Sequence, residues 1–428
     1  MNAPRAKAGG TLRKGSRAFV HRNYRLFFAG QAISLVGTWM QQVAQGWLVL
    51  ELTGSAFYLG LVSAISFLPV LVLGLFGGLI ADALPKRRTL MATQTIQMVL
   101  ALVLFGLAVT QTVQVWHIFL LAGLLGVTNA VDMPTRQAFA VEMVGRDDMV
   151  NAVALSSAMF NGARIIGPAV AGIAIGLFGI PVAFLLNGLS FLAVIAAYSL
   201  MHQDELHSPP RRARPGSVAE VGRILAEGLR YVRQTPLVLL ATVVVGVVST
   251  FGMNFGVIVP AMAREVLHSD ATGYGFLMAA TGVGSLVAAL GIAFSGRSRP
   301  VFIGIGAIVL GVGLAASAAI GTFWLALPAM AVVGFGAIGM AATANTTIQA
   351  AVPDELRGRV ISVYTTVFVG STPLGGLIVG SIAASFGVQA SLLVGGVACV
   401  IAGILAVVWL RRISPAGTTR RGTGATAG

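Results

Sequence analysis

The chain of 428 residues is 56% hydrophobic and only 10% charged, with a mean hydropathy of +0.88, whereas an average soluble domain carries about 25% charged residues. This composition excludes a soluble globular protein and points to an integral membrane protein. The formal net charge of +14 raises nucleic acid as a partner, but the placement of the basic residues, given below, excludes it.

A helix needs about 20 apolar residues to cross a ~30 Å hydrocarbon core. Apolar runs predict twelve such helices, near 25–50, 58–81, 90–110, 115–134, 150–177, 181–201, 237–262, 274–294, 301–320, 323–347, 359–384 and 388–410. Residues 1–24 precede them as a basic tail, and no cleaved targeting peptide is expected. The first span carries Gln31, Ser34, Thr38, Gln41 and Gln45 at spacings of 3, 4, 3 and 4, with Gln42 adjacent. This puts them on one helical face. Amides in lipid need partners, so the face either lines an aqueous path or hydrogen-bonds to neighbouring helices.

Between the second and third spans lies Gly77–Arg88, GGLIADALPKRR. In the fourth span Asp132 and Arg136 stand four residues apart, a spacing that favours an ion pair. Asp132 is the best carboxylate for carrying a proton; the other reading is a structural pair at the end of the helix. Glu51, at the outer end of the first span, is a weaker candidate. The fifth span contains NGARIIGPAVAG, with Ser157, Asn161, Arg164 and Pro168 on one stripe and Ala152, Ser156, Ala163, Gly167, Ala171 and Ala174 on the next. Small stripes let membrane helices approach closely. A lipid-facing arginine at mid-depth costs about 2.5 kcal/mol or more, so Arg164 is expected at the edge of a cavity. There it either attracts an anionic group or is bonded to backbone carbonyls and Asn161 to fix packing.

The polar interval 202–236 divides the spans six and six. Ser217 and Glu220 have capping-box spacing, and an amphipathic helix on the membrane surface is expected to follow them. In the seventh span Thr250 and Asn254 extend the polar lining, and Asn345, Thr346 and Gln349 do so more weakly in the tenth. Residues 411–428 read as a disordered tail.

All but two of the 28 Lys and Arg lie in the tails or in alternate loops on one side, which the positive-inside rule makes the cytoplasm. Both termini are therefore expected to be cytoplasmic, in a multi-pass protein of the cell membrane. The exceptions are Arg164 and Arg264, the latter placed in the loop after the seventh span. The halves also repeat: Gly167, Gly172, Gly179 and Gly188 become Gly375, Gly380, Gly387 and Gly396 when 208 is added. A parallel repeat of six-span halves is a recurrent transporter plan with its site near the midplane.

GGLIADALPKRR resembles the loop signature of the major facilitator superfamily. Gly78 and Asp82 match its first two anchors, and Lys86, Arg87 and Arg88 its basic end, while Ala83 and Pro85 depart from it. The resemblance implies that Gly78, Asp82, Arg87 and Arg88 form a cytoplasmic gate, with Asp82 latching onto the start of the eleventh helix. DMPTRQAF (132–139), the fifth-span stretch, VPDELRGRVISVY and PLGG are similar to the branch of enterobactin-type siderophore exporters and macrolide-efflux proteins. GPAVAG is similar to the antiporter signature of the fifth helix, with Ala163 and Ala171 in place of two glycines. Gly167, Pro168, Gly172, Gly375 and Gly380 are the expected interhelix packing positions.

Other functions lack their residues. The only lysines, Lys7, Lys14 and Lys86, follow Ala, Arg and Pro, so there is no phosphate loop. Five scattered histidines and the single Cys399 have no metal-ligand spacing, so no metal, cofactor or enzymatic activity is expected. The expected protein is an all-α membrane protein of twelve transmembrane helices in two pseudo-symmetric six-helix bundles, 25–201 and 237–410. Its expected partners are a small-molecule substrate, protons and the lipid bilayer, with the protein itself a monomer. The function read is a secondary active, proton-coupled exporter of small amphipathic molecules such as siderophores or drugs, working by alternating access. A lysophospholipid or other lipid translocator is the alternative within transport, and a non-transporting membrane sensor or scaffold the alternative outside it. The substrate cavity is drawn from Gln31, Ser34, Thr38, Gln41, Gln45, Asn161, Arg164 and Asn254.

Overall fold

The computed structural model describes residues 17–207, 218–295 and 299–413, without the side chains of 75–83, 218–221, Ser295 and Ile413. Gly78 and Asp82 of the expected gate, and the Ser217–Glu220 capping box, therefore lie outside the described side chains. The described residues are overwhelmingly helical and contain no strand. In chain order the helices are α1 (Arg22–Thr53), α2 (Ala56–Ala83), α3 (Lys86–Val109), α4 (Val115–Val144), α5 (Met149–Phe178) and α6 (Pro181–Ser199). The surface helix α7 (Val218–Gln234) follows, then α8 (Pro236–Phe251), α9 (Phe255–Ala261), α10 (Ala271–Ser295), α11 (Val301–Ala319), α12 (Phe323–Ala351), α13 (Asp354–Phe386) and α14 (Val388–Ile413).

Eleven spans among the described residues are long and apolar enough to cross a bilayer, with α8 and α9 counted as one. Helix α1 is not among them because its amide stripe lowers its hydropathy, yet its 32 residues extend about 48 Å at 1.5 Å per residue. It packs on α5 and α6 like the other members of the bundle.

Two expectations about span ends are corrected. The fourth span does not stop at residue 134: α4 passes through Pro134 and runs to Val144. The seventh span is not continuous, because the helix breaks between Phe251 and Phe255. It then resumes as α9 and ends in a π turn, Met262–Val266, so Arg264 belongs to the span rather than to a loop. A break inside a bilayer frees carbonyls that must find donors. Asn254 supplies them, its Nδ2 donating to the carbonyls of Thr250 at 2.7 Å and Ser249 at 3.3 Å.

The repeat of 208 residues reappears as repeated contacts. Gly179 and Gly387 end α5 and α13 at φ of 82° and 88°, the left-handed region that glycine enters without a Cβ penalty. A Cβ added at Gly172 would lie 2.9 Å from the Thr272 carbonyl oxygen of α10, and one at Gly380 2.8 Å from the Ala56 carbonyl oxygen of α2. Gly167 likewise abuts the Val36 carbonyl of α1, and Gly375 the Thr250 carbonyl of α8. Gly167 and Gly375 thus admit equivalent neighbours within their own halves, and Gly172 and Gly380 admit equivalent neighbours from the opposite half.

The halves meet along two seams, α2 with α13 and α5 with α10. Close approach is concentrated at the end away from the basic loops, where Gly60 faces Gly376, Gly380 faces Ala56, and Gly172 and Gly275 interlock. Arg264 adds a hydrogen bond across this end, to the Leu50 carbonyl of α1. Towards the basic end, Val150 on α5 and Phe294 on α10 are 82% and 86% exposed. Among the described residues, then, the close contacts between the halves lie at the far end.

Candidate substrate path

The polar stripe of α1 is shared between two cavities. Gln31 lines one of roughly 660 Å³ near the basic end, with Phe27, Arg136, Ser156, Ser157 and Asn161. Thr38, Gln41, Gln42 and Gln45 line a second, of roughly 280 Å³, deeper in the bundle with Gln97, Asn129 and Asn187. Ser34 is 1% exposed, and its carbonyl accepts from Thr38 Oγ1 at 2.9 Å. The side chains of the stripe are divided between an interhelical bond and a cavity wall. Gln41 Oε1 accepts from Asn187 Nδ2 on α6 at 2.6 Å, an interhelical bond, while Thr38 and Gln42 are exposed to the cavity. Asn129 and Asn187 were not singled out from the sequence; a lone amide in an otherwise apolar run was the available signal.

Arg164 lies on α5 at the seam. Its guanidinium carbon is 5.9 Å from the centroid of Trp39 on α1 and 5.9 Å from that of Phe255 on α9, within range of a cation–π attraction worth ~0.5–2 kcal/mol. Among the described residues it has no ion pair and no hydrogen bond. Asn161 does not hold it, since the Asn161 amide donates to the Ser157 carbonyl at 2.8 Å. Arg164 is thus flanked by one ring from each half. It stands one turn from Asn161, which lines the basic-side cavity, and its neighbour Phe255 precedes Gly256, which lines the deeper one. Asn254, expected in the cavity, is 4% exposed and devotes its amide to the helix break.

Chemically, the arrangement offers one cation without a counter-charge, several amides and an apolar surround, suited to a small molecule that is apolar over most of its surface. A family model described as transmembrane secretion effector matches residues 16–417. The chain belongs to that family. It is a multi-pass membrane transporter of the major facilitator type. Among relatives, the multidrug efflux pump Tap of Mycolicibacterium fortuitum is 30% identical over 380 residues, covering 85% of this chain and 90% of that protein. The staphyloferrin A transporter of Staphylococcus aureus is 26% identical over 258 residues, 59% of this chain and 62% of that protein. Of solved structures, a bacterial homolog of the human lysosomal transporter Spinster, inward-facing and occupied, superposes with a TM-score of 0.73 at 13% identity, covering 92% of this chain and 97% of that one. At that identity the likeness shows the fold alone.

The protein carries a second polar centre near its basic end. Asp132 is fully buried and paired with Arg136, the ion pair that the spacing favours. From α3, Thr93 Oγ1 and Gln94 Nε2 donate to Asp132 Oδ1 at 2.7 and 2.9 Å. Burying a carboxylate is tolerable only when its remaining lone pairs are met, and these two donors, missed in the sequence, help to meet them. The basic loop is tied down within its own half. Lys86 pairs with Glu142 at 2.6 Å, and Arg87 donates to the Tyr198 and Ser199 carbonyls at 2.6 and 2.8 Å, the favourable place for a cation at the end of α6. Arg88 is exposed.

Proposed function

We propose that this transporter is a secondary active, proton-coupled exporter of small amphipathic molecules that carry an anionic or strongly hydrogen-bonding group. The observation that carries the reading is Arg164, a cation without a counter-charge, held between one aromatic ring of each half and beside an amide-lined cavity. In this reading the substrate enters from the cytoplasm through the basic-side opening, with both termini on that side in the cell membrane, and the protein works as a monomer. Its anionic group pairs with Arg164 while its apolar body lies against Trp39 and Phe255. The halves then rock about this site: the glycine seams at the far end part, and the gate formed by Gly78, Asp82, Arg87 and Arg88 closes the basic side. Protonation of Asp132 weakens its pair with Arg136 and couples the proton gradient to the exchange. The siderophore and drug relatives support a substrate of this size and amphipathic character.

The test is uptake into everted membrane vesicles of an anionic catecholate siderophore. Uptake driven by an imposed proton gradient and collapsed by a protonophore is the expected result. Uptake that is indifferent to the gradient contradicts proton coupling, and no uptake of any amphipathic probe contradicts the export reading.

A further inference from the structure

The C-terminal half carries a cleft of roughly 420 Å³ that the transport reading does not use. Helices α10 and α11 are consecutive in the chain, yet each packs chiefly on α12 or α14 rather than on the other. This leaves α12 as a floor between two walls. The lining is apolar, with Phe302 and Ile305 on α11 and Phe335 on α12. These three are 44%, 41% and 44% exposed, so the cleft opens on an apolar outer surface of the kind that faces lipid. Gly291 on α10 and Gly339 on α12 also line it, and at both an added Cβ would meet nothing within 4 Å. They therefore admit no neighbouring helix; they keep the cleft wide. At its basic end stands Arg299, exposed and, among the described residues, without a partner for its guanidinium.

We propose that this cleft holds one anionic phospholipid of the leaflet at the basic end, with an acyl chain along α12 and the phosphate paired with Arg299. The apolar walls match an acyl chain. Arg299, the single cation among the described residues that line the cleft, matches a phosphate whose headgroup adds no positive charge, since basic residues at a membrane surface draw anionic lipids. Nothing in this proposal depends on what the protein transports.

The experiment is native mass spectrometry of the full-length protein, purified in detergent with equal phosphatidylglycerol and phosphatidylcholine of identical acyl chains. The expected result is one retained lipid, with phosphatidylglycerol favoured roughly fivefold, the effect of a single arginine near the surface. Arg299→Gln should bring the preference to near unity, and Gly291→Leu or Gly339→Leu should remove the retained lipid, whereas Gly291→Ala should keep it. Equal retention of both lipids by the wild type overturns the headgroup assignment. Undiminished retention in the leucine variants overturns the site. Melting temperatures are read alongside; if one leucine variant melts early, the other carries the acyl-chain test, and the exposed Arg299 carries the headgroup test.

Discussion

Arg164 on α5 and Asn254 at the α8–α9 break lie in different halves of the molecule and in opposite chemical circumstances. Arg164 has two aromatic rings and no anion, whereas Asn254 is bonded to the carbonyls of its own chain segment. The contrast extends through the halves. In the N-terminal half, polar side chains bond across helices, Asn187 to Gln41 and Thr93 and Gln94 to Asp132. In the C-terminal half, Thr250, Thr281, Ser317 and Thr343 return their hydroxyls to carbonyls one turn back in their own helices, and Ser285 and Ser391, which reach across helices, bond to the backbone carbonyls of Gly334 and Val379 rather than to side chains. The 208-residue repeat preserves the glycines but not this chemistry: Gln45, Asp132 and Arg164 correspond to Met253, Met340 and Thr372. The glycine contacts recur in both copies of the bundle, whereas the Asp132 pair and Arg164 have no counterpart at the repeat-related positions.

The contrast is broken most severely at its buried charges. Asp132→Asn removes the counter-charge of Arg136, which is partly exposed to the basic-side cavity, and the purified protein should lose about 1.5–3 kcal/mol of stability. Thermal unfolding checks this, and transport by the variant should lose its dependence on pH. A variant as stable as wild type would sink the account of the pair. Next comes the shared shape. Gly172→Leu and Gly380→Leu press a side chain on the same kind of carbonyl in the two seams, costing about 1–3 kcal/mol each and blocking far-end closure. Transport should fall to a similar degree in both, and not in Gly106→Leu, where an added Cβ meets nothing within 4 Å; unequal losses at the two seams would speak against equivalence of the halves. Asn187→Leu, which removes the bond to Gln41, should cost about 0.6–1.7 kcal/mol in the melting curve. The smallest effect is expected at the surface, where Glu227 on α7 pairs with Arg359 on α13. Arg359→Gln should cost no more than about 1 kcal/mol, with transport unchanged.

Much of this frame is legible in the amino-acid sequence. Spans, the basic side and the glycine repeat follow from the apolar content of the helices and from the smallness of a few residues, both local properties. The Asp132–Arg136 pair is legible because its partners are one turn apart. What escapes depends on residues distant in sequence. Nothing near Arg164 announces that Phe255, on the far half, will stack beside it, and nothing near Asp132 points to Thr93 and Gln94 on the preceding helix. The break in the seventh span is hidden by its hydropathy, since Gly252 and Asn254 sit in a run otherwise apolar enough to be continuous. Conversely, the amide stripe of α1 makes that helix look less like a span than it is, for the same reason that it lines the cavity.

The most direct test of the central claim compares wild type, Arg164→Lys and Arg164→Ala in everted vesicles, with an anionic catecholate siderophore and a cationic drug as parallel probes. A charge-assisted hydrogen bond contributes about 1.5–3 kcal/mol, so the account predicts a roughly 10- to 100-fold loss of anion uptake in Arg164→Ala. Arg164→Lys should retain only part of the wild-type rate, because an ammonium lacks the planar fork, and uptake of the cation should not fall. Wild-type uptake of the anion by Arg164→Ala, or transport of the cation alone by all three proteins, would contradict it and leave Arg164 a packing residue between the halves.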